Sequence, residues 1–95
     1  MSNNTLEFID THCHIHDSEF AKKFDKSVTD VMNDARDDGV RTFVCVGTDL
    51  ESSRQAVAFA RSHKSCFASL ALHPHEVAAC SDTELESVLK EFDSI

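Results

Sequence analysis

Short apolar runs alternate with amphipathic stretches along the chain. Leu6-Glu7-Phe8-Ile9, Val40 through Val46 and Cys66 through Leu72 are the apolar runs, and each ends at a glycine or a polar cluster, as a buried strand does. Between them, Val28, Val31, Met32 and Ala35 fall at i, i+3, i+4 and i+7, one face of a helix, with Gly39 placed as a left-handed stop. The alanine-rich stretch Leu50 to Arg61, with Ala56, Val57, Phe59 and Ala60 apolar, predicts a second helix, and Leu85, Val88, Leu89 and Phe92 predict a third. Thr48-x-x-Glu51 and Ser81-x-x-Glu84 have capping-box spacing, and Ser27-x-x-Asp30 is a weaker form of it. Thr48 is therefore the expected N-cap of the second helix, with Gly47 making the turn before it.

The order β-α-β-α-β-α predicts an α/β fold with a parallel sheet and right-handed crossovers. The strands begin near positions 6, 40 and 66, a period of about 30 residues against about 31 per unit in a (β/α)₈ barrel. The expected architecture is the first three βα units of a TIM-like (β/α)₈ barrel, residues 1–95 forming the N-terminal part of a single barrel. Three units alone leave a sheet edge open, so further units or a partner subunit are expected to cover it.

Charge narrows the possible partners. Nine basic residues against seventeen acidic ones give a net charge of −8, which excludes unaided attraction to a phosphate backbone. Nucleic acid becomes a plausible partner only if something else, such as a bound metal, supplies positive charge. No apolar run approaches the roughly 20 residues that span a bilayer. Met1-Ser2-Asn3-Asn4-Thr5 has neither the basic nor the apolar region of a secretory leader. Cys13, Cys45, Cys66 and Cys80 are widely spaced without a CxxC pair and are expected to be reduced thiols. The expected location is cytoplasmic, without a membrane partner.

The densest chemistry is Ile9-Asp10-Thr11-His12-Cys13-His14-Ile15-His16. Residues i and i+2 of an extended chain point the same way, so His12 and His14 are candidates to present two imidazoles to one ion, and His16 continues the alternation if the extension persists. Imidazole suits Zn, Mn, Fe or Ni better than Mg or Ca. Two solvated loop histidines would show the same tripeptide. Placement at the C-terminal end of a buried strand, where barrel active sites lie, favours the metal. Asp10 either holds a histidine ring by a hydrogen bond or stabilises the turn. Cys13 alternates away and is expected in the barrel wall.

His73-Pro74-His75-Glu76 follows the third strand, at the same sheet end as His12 and His14, and the proline stiffens the loop. Gly47-Thr48-Asp49 occupies the equivalent place after the second strand. It is chiefly a turn and a cap, with attraction of a substrate phosphate to the helix N-terminus as a minor possibility. His63, at the end of the second helix, is favoured there by the dipole and carries no catalytic assignment.

Phe8-Ile9-Asp10-Thr11-His12-Cys13-His14 resembles the N-terminal signature of TatD-type metal-dependent hydrolases (the TatD DNase family). The stretches Val46 to Ser53 and Ala68 to Glu76 resemble further segments of that family, in the same order. The resemblance implies a TIM-like barrel and a divalent-metal-dependent hydrolase (Zn, Mn or Mg) acting on phosphodiester bonds, with DNA as substrate. It implies His12 and His14 as the first two metal ligands and His73 as a substrate-binding histidine near the phosphate. His16, followed by Asp17, departs from the Asp or Asn frequent in relatives two residues after the second histidine. The family's remaining ligands, a Glu, two His and an Asp, belong to later strands. The chain alone is therefore expected to be inactive. Two other readings stay open. One is a non-catalytic module that self-associates or is bridged by metal through His12, His14 or His75. The other is an amidohydrolase acting on a small molecule.

Overall fold

A computed structural model describes residues 6–95. Met1–Thr5, read above for a leader, lie outside the described residues. The order is β1 (Phe8–Cys13), α1 (Ser18–Lys22), α2 (Val28–Asp37), β2 (Val40–Val46), α3 (Leu50–Ser62), β3 (Cys66–Ser69), α4 (Pro74–Ala79) and α5 (Asp82–Phe92). The strands form one parallel sheet in the order β1-β2-β3. This is the α/β arrangement expected of three βα units. It is an open sheet, not a closed barrel.

Helices cover one face of the sheet. Met32 of α2 and Ala56 of α3 join Cys13, Phe43, Cys45 and Cys66 of the strands, with Ile15, in a single buried core. The other face carries the alternate residues: Ile9 beside Thr42, and Val44 beside Phe67. Ile9 and Phe67 are 64% and 60% exposed. A parallel sheet ordinarily has both faces covered, so among the described residues this sheet is covered on one side only. No helix among them is long and apolar enough to cross a membrane. All four cysteines are free, and Cys13 lies in the core as its alternation predicts. The hydrogen bond shared with Cys13, followed by burial, holds the Cys45 thiol protonated well above the ordinary thiol range.

The helix ends show which caps were read correctly. Ser27 Oγ accepts the Asp30 N–H at 3.1 Å, and Ser81 Oγ accepts the Glu84 N–H at 3.2 Å, as expected of N-caps. Gly39 has φ +102° and follows α2 as its stop. The expectation for Thr48 was wrong. Asp49 caps α3, its Oδ1 accepting the Ser52 N–H at 2.7 Å, while the Thr48 N–H donates to Ser52 Oγ at 2.8 Å. A carboxylate at the positive end of a helix is a better cap than a threonine there. Asp49→Ala is expected to lower stability by about 1 kcal/mol, read as a shift in the urea midpoint with an unchanged slope.

Two strand boundaries differ from the apolar pattern. β1 begins at Phe8 and runs through Cys13, so it carries His12 itself. β3 stops at Ser69, short of Leu72, because beyond it the Ala71 N–H turns to the Ser53 hydroxyl at 3.3 Å. The short helices α1 and α4 were also absent from the periodicity reading. Five and six residues are too few to show a helical repeat.

Candidate metal and phosphate site

The site grows from a defect in β1. Asp10 pairs with Phe43 and Cys13 with Cys45, so three steps along β1 match two along β2. The extra residue is a β-bulge, a device that re-aims side chains at strand ends. Asp10 Oδ1 accepts the backbone N–H of His12 at 3.0 Å. This decides between the two roles open for Asp10: it shapes the backbone beneath His12.

The His12 and His14 rings emerge beside one another, centroids 5.2 Å apart and 73° between planes. The chain then turns, the Asp17 N–H donating to the His14 carbonyl at 2.9 Å. The turn ends the alternation. His16 swings inward, to 9% exposure, and its Nδ1 is buried with no partner among the described residues. Burial first, and then the nearby His14, lower its pKa and favour a neutral ring. His16 lines an adjoining cavity of about 230 Å³ with Asp17, Asp49 and Glu51, which His14 and Thr48 also border, and it is not among the residues that line the cleft of His12 and His14.

His12, His14 and His73 line a cleft of about 430 Å³, floored by Gly47 and Thr48. The loops after β2 and β3 are tied across it, the His73 N–H donating to the Thr48 carbonyl at 2.6 Å. His73 is the N-cap of α4, its Nδ1 accepting the His75 N–H at 3.2 Å, and the two rings stack at 4.8 Å and 4°. The ends of β1 and β3 thus bring His12, His14 and His73 to one cleft beside the end of β2. The α3 N-terminus does not serve as the phosphate pocket considered above, because the Asp49 carboxylate occupies it.

The cleft suits a cation in part. Two imidazoles bound to one tetrahedral ion at about 2.0–2.1 Å per nitrogen bring their ring centres to about 5 Å, close to the spacing of His12 and His14. No carboxylate is among the described residues that line the cleft. Nor do three His, Cys, Asp or Glu side chains converge anywhere among the described residues as a group able to hold a metal. Among the described residues, the cleft offers histidine side chains and no acidic or thiol donor. Sequence reasoning missed the bulge, the burial of His16 and the two-loop tie. None of these has a signal in apolar periodicity, though Asp two residues before a histidine is an Asx-type pattern.

The chain is similar to known proteins along most of its length. The chain is 32% identical over 81 residues to a protein of Escherichia coli (strain K12) named 3'-5' ssDNA/RNA exonuclease TatD, covering 85% of this chain and 30% of the relative. It is 34% identical over 62 residues to the protein of that name from Cronobacter sakazakii, covering 65% of this chain and 24% of the relative. A second Escherichia coli (strain K12) protein, named uncharacterized metal-dependent hydrolase YjjV, is 31% identical over 81 residues, 85% of this chain and 30% of its own. The chain therefore spans about a quarter to three tenths of the length of these relatives. The family profile described as TatD related DNase matches residues 9–94, from the strand that carries His12 to the end of α5, and the chain belongs to that family.

Proposed function

We propose that this chain forms the first three βα units of a barrel-shaped, divalent-metal-dependent phosphodiester hydrolase, with DNA as substrate. The observation that carries the reading is the convergence of His12, His14 and His73 on one cleft at the C-terminal ends of parallel strands, the place where barrel enzymes hold their chemistry. His12 and His14 would hold the ion. A bound divalent cation would supply a water of lowered pKa and neutralise phosphate charge, which a protein of charge −8 otherwise lacks the means to do. His73, across the cleft, would bind and orient the phosphate. With no carboxylate among the described residues that line this cleft, the remaining ligands and the general base would come from other strands. The chain by itself would not turn over substrate.

The reading is tested by joining residues 1–95 to the downstream part of the Escherichia coli exonuclease and supplying Mn²⁺ or Zn²⁺. The expected result is shortening of single-stranded DNA that is lost in His12→Ala and His14→Ala. A folded, metal-loaded chimera that leaves single-stranded DNA and RNA intact would overturn it, as would multiple turnovers by the 95-residue chain alone.

The uncovered sheet face, with Ile9 and Phe67, favours a second reading: a non-catalytic, self-associating module. Sedimentation with and without chelator separates the two. An oligomer that falls apart on chelation supports metal bridging between copies, and a monomer in both conditions removes the module reading.

A further inference from the structure

We infer that His75 is a positioning residue for His73, holding the His73 imidazole in one orientation and one tautomer so that its Nε2–H is presented to the cleft as a hydrogen-bond donor to an anionic phosphate oxygen. The destination of that donor rests on the phosphodiester reading above; the positioning itself does not.

A neutral imidazole has one nitrogen that donates and one that accepts. In His73 the accepting nitrogen is already assigned: Nδ1 takes the backbone N–H of His75 at 3.2 Å. The proton of the neutral ring must then sit on Nε2, the nitrogen left for the cleft that His73 lines. A histidine χ2 torsion is broad and roughly two-fold. A single capping bond on an exposed ring does not by itself prevent a flip. The His75 ring supplies the second restraint by lying flat on His73, 4.8 Å between centroids and 4° between planes. Pro74, between them, begins α4 and fixes φ near −65°, which keeps the two residues in register. The geometry also separates His73 from the metal pair: its Nδ1 lone pair is spent on the backbone, and its Nε2 carries a proton where a ligand needs a lone pair.

The test uses the full chain labelled with ¹⁵N, at about pH 8, where an ordinary imidazole is neutral. Long-range proton–nitrogen correlation reports the tautomer of each histidine. His73 is expected almost wholly in the Nε2–H form. His75→Phe, which keeps a flat ring, should preserve that form, and His75→Ala should give a mixture of both tautomers. A mixture or an Nδ1–H form in the unsubstituted chain would overturn the inference without any variant. An unchanged His73 spectrum in folded His75→Ala would overturn the role of the ring. Inorganic phosphate is then titrated in. A shift of the His73 Nε2 signal supports phosphate as its partner. No shift, with the Nε2–H form intact, would count against the phosphodiester reading of His73 and leave the positioning by His75 standing.

Discussion

Gly47→Ala is expected to be the most damaging small substitution in the chain, costing about 3 kcal/mol or abolishing cooperative unfolding. A methyl group at Gly47 would overlap Ser53 Oγ and stand 2.6 Å from Ser53 Cα and 2.9 Å from its Cβ. A clash with the tip of a side chain is relieved by a rotamer change. A clash with a Cα requires α3 itself to move. Ser53 is fully buried, and its hydroxyl holds the Ala71 N–H at 3.3 Å. Moving α3 therefore strains the core and loosens the segment that leads to His73. Overpacking alone costs about 1–3 kcal/mol, and an orphaned buried hydrogen-bonding group adds about 1–3 more. Stability of roughly 0.05–0.15 kcal/mol per residue leaves little to absorb such a loss. Urea unfolding followed by circular dichroism measures it. Adding Ser53→Gly removes the Oγ and Cβ overlaps but not the Cα approach, so it should rescue Gly47→Ala in part, a non-additive pair. A Gly47→Ala chain as stable as the original would show that α3 does not sit this close to the end of β2.

Gly47 also shows where the sequence was legible and where it was not. A glycine after an apolar run reads naturally as a turn. Its role here is close approach to a helix six residues further on, a three-dimensional fact without a local signature. The same contrast holds across the fold. Met32 and Ala35, on their helix face, and the caps Ser27 and Ser81 could be read in advance because they depend on neighbours three or four residues away. β2 could be read because a buried strand in a parallel sheet is a continuous apolar run. The bulge near the end of β1 and the end of β3 could not, since they go with Asp10 capturing the His12 N–H and with Ser53 capturing that of Ala71.

The candidate site divides in the same way. Alternation is a property of extended chain, so it placed His12 and His14 together and stopped being informative at the turn after His14. His16 lies within that turn and is buried among neighbours that periodicity cannot name. His73 could be assigned to the same sheet end from topology alone, because parallel strands share a C-terminal end. Its Nδ1 engagement with the His75 N–H becomes visible only once α4 is known to start at Pro74.

Zinc is expected to bind the full chain weakly, and to lose that binding when either His12 or His14 is replaced by alanine. Complete structural zinc sites reach about 10–16 kcal/mol. Two imidazoles are half of a tetrahedral set, so roughly 5–8 kcal/mol is expected, a Kd of about 0.2 mM to 1 μM. Removing one of two ligands should cost at least about tenfold, or 1.4 kcal/mol, and removing both should leave only the background of an acidic surface. His73→Ala should leave zinc affinity unchanged, because His73 serves the opposite wall of the cleft. Titration calorimetry measures the affinities. A second readout is stability: at about ten times Kd, binding to the folded state adds about 1.4 kcal/mol, a gain the double variant should lack. Nanomolar binding by the unsubstituted chain would mean that further ligands lie within it, contrary to a cleft whose described lining holds no carboxylate. Binding unmoved by either substitution would place the ion elsewhere. Weak binding that both histidines share would instead tie the spacing of the two rings to a single ion, with its open positions left for ligands from strands beyond β3.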